Sequence, residues 1–192
     1  MNLLEITNRW ESVQLAQGCN YLYPSAVSPY MKEKYCRPAV YRWMVWTPGY
    51  GIHAYYVGET ENLARRVQQC LRPGSKQMTN LRLRAYFCEA VNQKQQVELQ
   101  TLVFEPFQVN RVNFSVELLL HTHVRRVLEN LVLVWMDAGK SHGSPLILNR
   151  VLTQDRERTN KRIDLALSHL KTLGLTDEQN NRLLQTLKIA RV

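Results

Sequence analysis

Two places in this chain of 192 residues hold side chains whose type and spacing bear on chemistry. The first is the arginine pair in ENLARRVQQCL. At about 100° per residue, Leu63, Val67, Cys70 and Leu71 fall on one helical face, Arg65 points nearly opposite it and Arg66 lies at its border. Arg66 can lean over a sheet edge where the tyrosines of the preceding hairpin emerge, whereas Arg65 belongs in solvent. Two arginines on a helix are more often a solvated face than a site. The second place is Glu129, in VRRVLENLVLVWM. That helix is apolar around its circumference, and a buried carboxylate is costly without a partner. A salt bridge to Arg125 or Arg126, one turn earlier, would satisfy it. So would a hard divalent cation, since Mg²⁺ is commonly held by one carboxylate together with waters and substrate phosphate oxygens. Spacing does not separate the two.

The elements that position these residues can be read from pattern. AVYRWMVW and AYYVGET are β-type runs joined by TPGYGIH, a hairpin. Thr60 opens a helix that Pro73 and Gly74 end, and a second helix follows Thr79 (NLRLRAYFCEAV). Val97, Leu99, Thr101 and Val103 alternate with polar neighbours, which predicts a third strand. A long helix runs from about Ser115 to Met136 and stops at DAGKSHGSP. The order β-β-α-α-β-α predicts an α+β fold, a small three-stranded antiparallel sheet flanked by helices. Before it, residues 1–36 read as an N-terminal arm with a short helix at about Ile6 to Gln17 and a loop dense in Tyr and Pro. After it, residues 151–192 read as a helical hairpin, with a capping box at Thr176 to Gln179.

Composition bounds the function. With 45% apolar and 21% charged residues, the chain can bury a core and is neither disordered nor low in complexity. The 25 Lys and Arg against 16 Asp and Glu leave a net charge of +9, the electrostatic footprint of a nucleic-acid binder, although many basic proteins bind none specifically. No apolar run is long enough for a membrane span and the first residues lack a signal-peptide pattern, so a cytoplasmic location is expected. The four cysteines show no zinc spacing and fit reduced thiols.

Taken together, AVY (Ala39, Val40, Tyr41), YVG (Tyr56, Val57, Gly58) followed by ETENLARR, the downstream Glu129 and a closing PLILN resemble the GIY-YIG endonucleases over about Arg37 to Arg150. The resemblance implies metal-dependent hydrolysis of DNA phosphodiesters. Tyr41 and Tyr56 would be the two phenols facing the active centre, with Tyr41 helping to activate the attacking water as base or through a relay. A phenol titrates near pH 10, so that role needs a neighbouring cation. Arg66, and not Arg65, matches the family's arginine and would hold the scissile phosphate. Glu129 matches the family's glutamate and would bind Mg²⁺ or Mn²⁺, easing departure of the 3′ oxygen. Gly58, Asn80 and Asn149 match supporting positions. Three departures stand out: Ala39 replaces a glycine, Cys70 stands where some members have a histidine, and Glu59, Thr60 and Glu61 fill a segment where some have a lysine.

Within the family, arms on both sides of the core point to sequence-specific double-strand cleavage of the restriction type by a homodimer. Repair or mobile-element nucleases need the same core, and a non-catalytic DNA-binding module that retains the fold is the alternative outside enzymes. Arg65, Arg72, Lys76, Arg82 and Arg84 are expected to contact the phosphates of double-stranded DNA. His121 and His123, two apart on a helix, are expected to diverge, and GKSHGS does not match a phosphate loop. Tyr21, Tyr23, Tyr30 and Tyr35 are more often packing than stacking platforms.

Overall fold

A computed structural model describes residues 8–105, 107–109, 112–138 and 143–151. The hairpin forms as its pattern requires. Strand β4 (Ala39–Thr47) pairs antiparallel with β5 (Gly51–Thr60), and Gly49 and Gly51 take the positive φ of 81° and 92° that the tight turn demands. The alternating segment becomes β6 (Gln96–Phe104), antiparallel to β4 on its other side.

The α+β class is as expected, but the sheet is larger and mixed. Five strands lie in the order β1-β6-β4-β5-β9. Strand β1 (Asn8–Ser12) runs antiparallel along β6, so the expected helix at Ile6 to Gln17 is not formed among its described residues. Its Trp10 and Ser12 face one side while Arg9 and Glu11 face the other, a period of two within a polar segment. Strands β2 (Gln14–Ala16) and β3 (Cys19–Asn20) follow as a small ribbon, then helix α1 (Pro29–Lys34). Strand β9 (Leu146–Ile147) is only two residues long and joins the β5 edge in parallel. A run that short carries no periodic signal.

Helices α2 (Leu63–Leu71) and α3 (Met78–Asn92) cover one face of the sheet. Leu63, Val67, Cys70, Leu83 and Phe87 pack there against Tyr41, Trp43, Val45 and Leu99. The cap of α2 lies two residues later than Thr60, which remains in β5. Asn62 is the cap, its side chain accepting from the Arg65 N–H at 2.8 Å. The opposite face carries Val40, Val57, Leu102, Phe104 and Ile147, packed against Leu119 and Leu133. Leu133 belongs to α4 (Thr122–Ala138).

The long helix expected from Ser115 is interrupted. A hairpin of β7 (Phe107–Val109) and β8 (Val112–Phe114) leads into a 3₁₀ turn at Val116–Leu120, and His121 is extended (φ −85°, ψ 121°) before α4 begins. His121 therefore escapes the helical 100° step. Its ring stacks on that of His123 with centroids 5.5 Å apart instead of diverging from it. A last helical turn, α5 (Leu148–Val151), closes the described chain. Residues 139–142 of GKSHGS and the helical hairpin expected over 152–192 lie outside the described residues.

Residues 8–36 pack into the same core. Tyr21, Tyr23 and Tyr35 are buried, with Tyr21 and Tyr23 edge-on to Trp43 at centroid distances of 5.9 and 6.3 Å. These tyrosines are packing groups, as their composition favoured. Among the described residues, no helix is long and apolar enough to cross a membrane.

Candidate active site

Arg66 is brought to Tyr41 by two backbone bonds. The N–H of Leu63 donates to the carbonyl of Arg37 at 3.1 Å and that of Ala64 to Tyr35 at 3.0 Å, so the first turn of α2 is tied to the segment just ahead of β4. Leu63, Ala64, Val67 and Cys70 are then buried, Arg65 is exposed and Arg66 is half-buried at the rim, as the helical wheel requires. The Arg66 Nε donates to the Tyr41 hydroxyl at 2.7 Å, a charge-assisted bond. Arg65 instead pairs with Glu61, one turn back in solvent.

Gly58 makes room for this contact. It lies opposite Tyr41 in the β4–β5 register, and a Cβ placed on it would stand 2.5 Å from the phenol oxygen and 2.6 Å from Cζ. The glycine is needed for space, not for an unusual φ. At Ala39 the backbone is ordinary strand, so the substituted first position of the trio costs nothing.

Tyr56 occupies the same sheet face, two residues before Gly58. Burial raises the Tyr56 phenol above its ordinary range, Arg66 pulls it down through its charge and a hydrogen bond, and the nearby carboxylate of Glu129 pushes it up. Tyr41, only 1% exposed, is also raised, by burial first and then by Tyr56, against the lowering effect of Arg66. Burial alone would lower the Arg66 guanidinium, yet the two phenols beside it carry it upward. At neutral pH both phenols are protonated and Arg66 is charged.

Glu129 is half-buried on α4, and the helix is fixed by the arginine one turn before it. Arg125, 3% exposed, donates from Nε to Glu59 at 2.8 Å, and its terminal nitrogens bond the carbonyls of Leu119 and Leu120 and the Thr122 hydroxyl. Arg126 also reaches Glu59, at 3.8 Å. Glu59, half-buried, follows Gly58 on β5, so this pair joins the strand carrying Tyr56 to the helix carrying Glu129. Sequence reasoning matched Arg125 only against Glu129. The signal for its true partner was Glu59 itself, an acid in a strand that is otherwise largely buried.

Asn149 clamps the other side of β5. Its amide donates to the Val57 carbonyl at 2.7 Å while its oxygen accepts from the Val57 N–H at 2.8 Å, supporting the strand beside Gly58. Asn80 is buried in α3, donates to Gln77 at 2.9 Å, and has no hydrogen bond to any of the four candidate residues. Cys70, one turn after Arg66, is a buried thiol whose pKa burial pushes up to about 11. It packs the site as a neutral group and cannot orient water as a histidine would. Arg72, Lys76, Arg82 and Arg84 are exposed on α3 and on the chain between α2 and α3.

The arrangement thus sets a fixed guanidinium and two neutral phenols on one face of the inner strands β4 and β5, with the Glu129 carboxylate close enough to act on Tyr56 through its charge. No family model, curated protein or solved structure matches this chain.

Proposed function

We propose that this chain is a metal-dependent endodeoxyribonuclease of the GIY-YIG type, acting on double-stranded DNA by sequence-specific cleavage. The observation that carries the reading is the convergence of Tyr41, Tyr56, Arg66 and Glu129, drawn from two strands and two helices, in which Arg66 bonds one phenol and Glu129 acts electrostatically on the other. The bond from Arg66 to Tyr41 and the charge effects of Arg66 and Glu129 on Tyr56 support this reading of the motif resemblance.

Arg66 would hold a non-bridging oxygen of the scissile phosphate and offset its developing charge, with Tyr41 behind it as the acceptor that fixes the guanidinium plane. Tyr41 is too deeply buried and too firmly protonated to take a proton from water itself, so its part in water activation is as a member of a relay. Tyr56 would stand nearer the attacking water. A hard cation held mostly by substrate needs only one protein carboxylate, which Glu129 would supply. Mg²⁺ or Mn²⁺ bound at Glu129 would polarise the phosphate and ease departure of the 3′ oxygen. Exposed Arg65, Arg72, Lys76, Arg82 and Arg84 would contact the flanking backbone, and a homodimer would cut both strands.

Incubation of mixed plasmid and phage DNA with the protein and Mg²⁺ tests the reading. Discrete fragments are expected. A smear or a nick would keep the chemistry and remove the sequence specificity, and intact DNA retained in a salt-sensitive gel shift would replace the enzyme by a binding module.

A further inference from the structure

A second basic feature lies away from the four candidate residues. A cavity of about 380 Å³ opens between the loop after Tyr23, helix α1, the end of α2 and the middle of α3. Lys32, Arg72 and Arg84 line it, and no acidic residue does. Among the described residues, none of these three cations has an ion-pair partner or a side-chain hydrogen bond. The apolar part of the wall is Pro24, Ala26, Val27 and Leu71, and its polar part adds Gln68 and the Tyr23 hydroxyl and Cys88 thiol, 3.4 Å from one another.

Three exposed cations around one concavity attract an anion, and a phosphate is the anion that arginine forks and a lysine match best. The apolar part of the wall suits a flat or puckered organic body, and the volume falls in the range of small-ligand sites. On α2 the pocket residues Gln68 and Leu71 lie two and five positions from Arg66, about 160° and 140° around the helix, so this surface is separate from the one Arg66 serves. We propose that the pocket is a nucleotide site, in which Lys32, Arg72 and Arg84 hold the phosphate and Val27 and Leu71 receive the sugar or base. The nucleotide can come free or as one unit of a bound strand. In the second case the site rests on the proposed nuclease function and takes a nucleotide away from the bond being cut.

Cys88 gives a local readout, because it is an exposed thiol in the wall and Cys19 and Cys36 are exposed thiols elsewhere. Alkylation rates of the three would be followed by mass spectrometry in the full chain, alone, with dAMP and with a dT12 strand. The expected result is a slowing of Cys88 by about fivefold or more at saturation, Cys19 and Cys36 unchanged, and loss of the protection in the exposed-site variant Arg72→Ala/Arg84→Ala. Protection by dAMP assigns a free nucleotide, and protection by dT12 alone assigns a strand-borne one. Equal Cys88 rates under all conditions, or protection that survives the double substitution, would overturn the site. Cleavage of DNA by a protein whose Cys88 is never protected would leave the nuclease reading standing while removing this one. Protection without cleavage would do the reverse.

Discussion

Tyr41 and Trp43 stand two residues apart on one face of β4, and their surroundings differ in kind. Around Trp43 the neighbours are Tyr21, Tyr23 and Phe87, rings at 5.2–6.3 Å, and the Tyr21 hydroxyl ends on the neutral carbonyl of Ser25 at 2.8 Å. Around Tyr41 the neighbours are a guanidinium, a second phenol and a glycine that lets the ring lie flat against the strand. Both phenols are buried and both are raised in pKa by burial. What separates Tyr41 from Tyr21 is the cation beside it, together with the ties that fix the cation: the Asn62 cap and the backbone bonds of Leu63 and Ala64.

The largest effect is expected on the packing side. Trp43→Ala should cost about 3–5 kcal/mol by removing the centre of the aromatic cluster, seen as a lower denaturant midpoint, while any molecules still folded keep their DNA cleavage per molecule. On the other side, Cys70 makes stability sensitive to alkali. Its folded pKa of about 11 lies above the unfolded value of 9.0, so its contribution is complete below pH 9 and is lost as pH rises to 11. Between pH 9 and 10, below the ordinary titration of the buried phenols, stability from denaturant titrations should fall by about 1 kcal/mol, and Cys70→Ala should remove that part of the fall, leaving the steeper loss above pH 10 to Tyr21, Tyr41 and Tyr56. Gly58→Ala should cost about 1–3 kcal/mol and also displace Tyr41 from Arg66, so stability and cleavage fall together. The smallest and sharpest contrast is between two identical changes. Tyr21→Phe and Tyr41→Phe should each cost about 1 kcal/mol in thermal denaturation, but only Tyr41→Phe should slow cleavage. Equal effects on cleavage would dissolve the distinction between the two regions.

Much of this was legible in the sequence. The hairpin, the third strand and the presence of α2 and α3 follow from pattern, although the caps are Asn62 and Gln77 in place of the expected Thr60 and Thr79, and the helical wheel separated Arg66 from Arg65. What was not legible has physical causes. β1 is an edge strand built from Arg, Glu, Ser and Trp, so its alternation carries little hydrophobic contrast. β9 is too short to have a period, and its place is fixed by pairing with Ala54 and Tyr55, far away in sequence. Glu129 could be assigned two partners from spacing alone, because the competing claim of Glu59 on Arg125 is a contact 66 residues apart.

The central claim is that Arg66 and Glu129 act on one phosphate within a single cluster. Single-turnover cleavage of DNA with Mg²⁺ by the unaltered chain, Arg66→Ala, Glu129→Gln and the double variant tests it most directly. Each single change should slow cleavage by about a hundredfold or more, and the double variant should be scarcely slower than the worse single one, as for residues acting as a unit. Single variants that cleave at the unaltered rate, or losses that multiply in the double variant, would contradict it.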